Sequence, residues 1–139
     1  MLFRSLGLAP EGRSNSLVNR LRSSFRAGRA VSMPAGECRN PIDAGRLAET
    51  IVWLAAHPEA HGLFHVGARD PVSRYELARR LAARMGFAPE LVQREHERPD
   101  GRAPRGRHHF LKPDRLAALQ PLPVPSTDDV IERSIDASA

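Results

Sequence analysis

Apolar positions along the chain fall into short periodic stretches separated by Gly, Pro and charged residues. Leu17, Val18, Leu21 and Phe25 stand at i, i+1, i+4 and i+8, which predicts an amphipathic helix. Ser14 or Asn15 can cap its start, and Gly28 sits where a left-handed C-terminal residue is wanted. Before it, Leu2-Phe3 reads as a scrap of strand and Gly7–Arg13 as a loop; after it, Ala30–Met33 reads as a short strand. Residues 39–58, RNPIDAGRLAETIVWLAAHP, predict a second helix. Its cap is Asp43, its buried face is Leu47, Ile51, Leu54 and Ala55, and its stop is Pro58.

A third unit follows in GLFHVGARDPVSRYELARRLAARMG, residues 62–86. Leu63, Phe64 and Val66 predict a strand ending at Gly67, a turn follows through Pro71, and a helix opens at the S-x-x-E capping box of Ser73 and Glu76. Leu77, Leu81 and Met85 then recur every four residues, and Gly86 closes the helix. Leu91–Gln93 is another candidate strand, and the polar REHERPDGRAPRGRHH is a loop. Pro113 suits the first turn of a short helix through Leu119. Ser126 and Asp129 cap a last helix with Val130, Ile131 and Ile135 as its apolar face.

Helices alternating with isolated short strands define an α/β chain, mostly helical, and 139 residues have room for one domain with a moderate core. Three or four strands of three or four residues cannot build a sheet that shields these helices. The pattern therefore predicts part of a larger fold.

Composition narrows the function classes. The formal charge is +5, but all the basic residues except Lys112 are Arg, and they are scattered through every segment. With aromatics at only 5%, this is a solvated surface rather than a nucleic-acid face. No apolar run approaches the roughly 20 residues that cross a bilayer. The opening MLFRSLGLAPEGR is too short and too soon interrupted to be a secretory signal, so a soluble cytoplasmic protein is expected. Cys38 is the single cysteine; it cannot form an internal disulfide or hold a metal by itself, and reads as an inert thiol.

Candidate chemistry is sparse. Gly62, Gly67 and Gly86 are too widely spaced for a dinucleotide-binding turn. Tyr75 and Arg79 imitate a Tyr-x-x-x-Lys pair, but Arg does not replace Lys as a proton-relay partner, and Tyr75 in the first turn of a capped helix reads as packing. Trp53 also reads as packing. Of the histidines, His108 and His109 are adjacent and point apart, His57 and His61 are separated by Pro58 without a third ligand, and His65 reads as half-buried core, so no metal site is expected. Arg39, Arg102, Arg105 and Arg107 lie in loops and can grip anions with their guanidinium forks, although a solvated arginine is the alternative for each.

Four stretches in order carry a resemblance: LFRSLGLAPEG; RNPIDAGRLAETIVWLA, similar to an R-x-x-I-x-V-x-D-L-A helix entry; GLFHVGARDPVSRYELARRLAARMG, similar to G-x-Y-H-x-G-x-x-x-x-S-x-x-E; and APRGRHHFLKPDRLAAL, similar to R-P-x-x-x-x-L-x-x-x-K-L. Together, over residues 2–135, they resemble the C-terminal portion of an extended short-chain dehydrogenase/reductase of the NAD-dependent epimerase/dehydratase superfamily. The likeness is nearest to the substrate-binding region of dTDP-4-dehydrorhamnose reductases. It implies a Rossmann-type fold of which residues 1–139 form a single partial domain, the dinucleotide-binding half lying elsewhere.

The resemblance also implies roles. Arg39 matches an arginine turned toward the substrate diphosphate, Asn15 an asparagine opening the helix beside it, and Arg105 the arginine that completes the clamp. Ser5 and Leu6 match positions whose backbone passes the nicotinamide. Asp43 and Arg46 depart from the pattern, where His or Tyr and Asp are common. No catalytic Tyr, Lys or Ser/Thr is matched. The implied substrate is a nucleotide-sugar. The implied cofactor is NAD(P) in the complete architecture, not held by this chain alone. The implied partner is a Rossmann-bearing chain or a second copy, with no nucleic acid and no membrane. Three functions remain open: the substrate-binding half of a sugar-nucleotide reductase or epimerase, a non-enzymatic regulatory or partner module of the same fold, and, against the scattered charge, a basic nucleic-acid binder.

Overall fold

A computed structural model of the chain describes residues 16–95, 110–119 and 123–136. In chain order they form α1 (Leu17–Arg26), β1 (Val31–Met33), β2 (Cys38–Arg39), α2 (Ala44–Ala56), β3 (Val72–Ser73), α3 (Arg74–Arg84), a 3-10 turn at Pro89–Leu91, β4 (Val92–Arg94), α4 (Asp114–Leu119) and α5 (Thr127–Asp136). The expected α/β chain of helices with a few short strands is what folds.

Helix α3 is the centre. Leu81, Ala78 and Ala82 are fully buried and Leu77 nearly so. Around them pack Val18, Leu21 and Phe25 of α1, Met33 and Val92 of the strands, and Val130 and Ile131 of α5. Phe25 and Phe87 meet with ring centroids 5.5 Å apart. β1 and β4 pair in parallel, Val31 opposite Val92 and Met33 opposite Arg94, so the chain between them crosses over through α2 and α3. β2 and β3 pair antiparallel, Cys38 opposite Ser73 and Arg39 opposite Val72, a ladder that the sequence pattern did not announce.

The helix ends follow their capping chemistry. Ser16, rather than Ser14 or Asn15, caps α1, its Oγ accepting from Asn19 N at 3.3 Å. Gly28 and Gly86, just past α1 and α3, adopt φ of 65° and 78°, the left-handed conformation that stops a helix. Ser73 Oγ accepts from Glu76 N at 3.0 Å, while the Glu76 carboxylate takes Arg80 Nε at 3.0 Å. The box at α5 is reciprocal: Ser126 N donates to Asp129 Oδ2 at 2.7 Å and Asp129 N to Ser126 Oγ at 3.1 Å.

Two segments depart from expectation. The first concerns α2, which begins as expected at Asp43 but does not bury Ile51 or Ala55; Ile51 is 53% exposed. The inward stripe is Asp43, Leu47 and Thr50, with Thr50 Oγ1 returning to Arg46 O at 2.9 Å. IVWLAA is apolar all round, so periodicity alone does not select its face. The second concerns Leu63–Val66, which forms no ladder among the described residues. This segment is held instead by side chains: Arg115 donates to Leu63 O at 3.3 Å and to His61 O at 2.7 Å, and the His65 ring N–H to Lys112 O at 3.3 Å. His65 is exposed, not half-buried in the core.

Candidate functional site

Arg39 ends β2, and its position is fixed by the β2–β3 ladder and by the loop before it. Arg74 N donates to Glu37 O at 3.1 Å and Tyr75 N to Pro34 O at 3.2 Å, so the loop carbonyls occupy the free amides at the start of α3. The Arg39 guanidinium donates to Cys38 O at 2.7 Å and lies 3.6 Å from Glu37 Oε2. Arg74 shares the same carboxylate at 3.9 Å. At 39% side-chain exposure, Arg39 is braced along one edge and open to solvent on the other.

Asn40 ties this strand end to two other segments. Its Nδ2 donates to Ala68 O at 2.7 Å and its Oδ1 accepts from Leu111 N at 2.9 Å, while Ala68 N donates to Pro41 O at 2.8 Å. Gly67 is required by this crossing, since a Cβ there would lie 2.9 Å from Asn40 Cβ. Arg115 similarly clamps residues 61–63 and stacks 4.8 Å over Phe64. Sequence reasoning singled out neither Asn40 nor Arg115. A loop asparagine and one arginine among twenty carry no periodicity, and only the long-range partners reveal them.

Of the other expected site residues, Asn15, Arg105, Ser5 and Leu6 lie outside the described residues, as do Arg102, Arg107, His108 and His109. Tyr75 is half-buried with Arg94 4.9 Å and Arg79 5.7 Å from its ring centroid, a packed aromatic flanked by cations. Trp53 stacks on His57 at 4.1 Å, and the His57 ring N–H donates to Trp53 O at 2.7 Å. Cys38 is a half-buried free thiol.

A second charged region joins α2 to α5. Arg133 reaches Glu49 at 2.6 Å and Asp43, the buried cap of α2, at 3.5 Å. The hydrogen bond to Glu49, then the charges of Asp43 and Glu49, outweigh partial burial and raise the Arg133 pKa. Hydrogen bonds from the Ser126 hydroxyl and backbone lower the Asp129 carboxyl below its usual range, and the charges of Arg69 and Arg46 act in the same direction.

The described residues contain no glycine-rich turn for a dinucleotide. Among those described, the positive-φ glycines Gly28, Gly62 and Gly86 stand singly rather than in a glycine-rich turn between a strand and a helix. Also among the described residues, no helix is long and apolar enough to cross a membrane.

No protein-family model matches the chain. No curated protein matches it in sequence either. Solved structures do match in fold. A dTDP-4-dehydrorhamnose reductase from Bacillus anthracis, in complex with NADP, superposes with a TM-score of 0.79 at 19% identity, over 91% of this chain and 45% of that one. A dTDP-4-dehydrorhamnose reductase from Clostridium acetobutylicum gives 0.74 at 17% identity, over 91% and 45%. A UDP-N-acetylglucosamine 4-epimerase from Bacillus cereus gives 0.66 at 15%, over 87% and 42%. The chain thus spans less than half the length of each of these structures. At such identities the shared property is the backbone: this chain has the fold of part of an extended short-chain dehydrogenase/reductase, as found in dTDP-4-dehydrorhamnose reductases and nucleotide-sugar epimerases.

Proposed function

We propose that this chain is the substrate-recognition part of an NAD(P)-dependent sugar-nucleotide reductase or epimerase, and that Arg39 contacts the diphosphate of a nucleotide-sugar. The observation that carries the reading is the fold match over 91% of the chain to a reductase of that substrate class, with Arg39 braced and half-open at a strand end. A diphosphate offers several anionic oxygens, and a guanidinium fixed by Glu37 and Cys38 O can bind two of them without losing much side-chain freedom. Asn15 and Arg105 would complete the clamp, and Ser5 and Leu6 would pass the nicotinamide. The sequence contains no Tyr-x-x-x-Lys and no glycine-rich turn, so proton and hydride transfer would belong to residues outside it. These 139 residues would then act as a partial domain beside a dinucleotide-binding half.

Calorimetric titration with dTDP- and UDP-sugars tests this. The wild-type chain is expected to bind one of them, and Arg39→Ala and Arg105→Ala to bind it at least about tenfold more weakly, the loss of one charge-assisted contact. Equal affinity in both variants removes the clamp. A non-catalytic docking module of the same fold is the second reading. It would show no nucleotide-sugar affinity but would co-purify with a Rossmann-bearing protein.

A further inference from the structure

The cavity between α2, α5 and residues 123–125 takes no part in the reading above, and Arg39 does not line it. Its volume is about 340 Å³, and its walls are Arg46, Arg69, Arg133, Asp129, Glu132 and the apolar run Pro123-Val124-Pro125. We propose that this cleft is a binding site for a phosphate monoester, its phosphate held by Arg69 with Arg46 and Arg133 behind it and its organic part lying against residues 123–125.

Counting hydrogen-bond donors against acceptors selects an anion. The two acids in the wall are already engaged: Asp129 Oδ2 accepts twice from Ser126 at 2.7 Å, and Glu132 is paired to Arg84. Arg133 is shared between Glu49 and Asp43. Arg46 has one carboxylate, Glu49 at 3.3 Å, and its Nε is buried without an acceptor. Arg69 is exposed, and among the described residues its guanidinium has neither a hydrogen bond nor an ion pair, its charge reaching Asp129 only through space. Donor capacity in the cleft therefore exceeds acceptor capacity, most of all at Arg69.

The frame under Arg69 is rigid. Arg69 N donates to Pro125 O at 2.9 Å, and Ala68 N on one side donates to Pro41 O at 2.8 Å. On the other side, Asp70 Oδ1 accepts from Thr127 N at 2.8 Å and Asp70 O from the Thr127 hydroxyl at 2.7 Å. The unpaired cation thus lines the cleft from a backbone tied down on both sides. A phosphate monoester offers three terminal oxygens that lie out of one plane, whereas a carboxylate's acceptor sites are coplanar, so phosphate suits guanidinium groups arriving from several sides. The volume exceeds that of the phosphate alone, and the proline rings and Val124 give an ester's organic part an apolar wall.

The test is an NMR titration of the full chain with inorganic phosphate, a hexose monophosphate and a nucleoside monophosphate at constant ionic strength. Saturable shifts at the amides of Arg69, Val124 and Asp129 are expected. Arg69→Gln should weaken binding about tenfold or more at an unchanged melting temperature, because the native side chain holds no partner. Arg39→Ala should bind as wild type. Tighter binding of one ester than of inorganic phosphate identifies that ester's class as the occupant, whereas equal affinities overturn the monoester and leave a site for the phosphate ion alone. The proposal is overturned if the wild-type shifts are unsaturable or scattered over surface arginines, if Arg69→Gln binds equally, or if Arg39→Ala abolishes binding. The last result would place the anion at the nucleotide-sugar clamp, so the two sites fail separately.

Discussion

Asn40 shows what one uncharged side chain does at a strand end. Its amide donates to Ala68 O and accepts from Leu111 N, partners 28 and 71 residues away in sequence. Asn40→Ala removes both hydrogen bonds and should cost about 0.5–1.5 kcal/mol, and it should speed hydrogen exchange at the Leu111 amide well above its neighbours. Asn40→Asp keeps the acceptor but sets a carboxylate against Ala68 O, so Leu111 protection should survive better than overall stability. At Gly67 the constraint is steric: a Cβ would meet Asn40 Cβ at 2.9 Å and Asn40 O at 3.3 Å, and Gly67→Ala should cost about 1–3 kcal/mol in a denaturant melt. Asp129 gives the pH-dependent case. Its carboxyl is held low by Ser126, so its contribution is complete above the unfolded carboxylate value and is lost as pH falls through the lower folded value. Melting between about pH 6 and about pH 3 should therefore lose part of its acid slope in Asp129→Asn.

At the level of elements, legibility tracked the locality of the signal. The caps at Asp43, Ser73 and Ser126, and the glycines at 28 and 86, act within four residues, and each helix they bound is present. The face of α2 was not legible, because Ile51, Val52, Leu54 and Ala55 present apolar surface all round while the inward stripe runs through Asp43 and Thr50. The β2–β3 ladder was hidden for a related reason: two-residue strands have no period, and their pairing depends on where α3 begins. Arg39 was singled out first by its place before a helix and then by resemblance, and its brace on Glu37 could not be read from spacing. Helix α3 makes the energetic weight of a legible element measurable. Leu81 is fully buried at the meeting of α1, the strands and α5, so Leu81→Ala should cost about 2–5 kcal/mol and lower the denaturant midpoint without changing the slope. Arg80, which joins Glu76 and Asp128 at the half-exposed surface of the same helix, should cost under about 1 kcal/mol on replacement by Ala.

On the scale of the whole molecule, the described core is one cluster around α3, and it leaves a set of large apolar side chains outside. Ile51, Val52, Leu63, Phe110, Leu111 and Leu119 are each between 38% and 75% exposed. Leu63 belongs to the segment that was expected to be a strand and instead hangs on Arg115, beside α4 where Leu119 is also uncovered. Single exposed leucines are ordinary on any protein surface, but several large ones on neighbouring segments are not. Exposed groups of this kind bind hydrophobic dyes and associate as concentration rises, whether or not the core beneath them is sound. The full chain should therefore enhance the fluorescence of anilinonaphthalene sulfonate while keeping a cooperative melt, and its sedimentation coefficient should rise with concentration. Val52→Lys and Leu63→Lys remove apolar surface without touching the α3 cluster, so both effects should shrink while the melting temperature stays within a few degrees. If the dye response instead survives both substitutions and the melt is broad, the exposed surface lies in a loosely packed core rather than on the outer faces of α2 and residues 61–65.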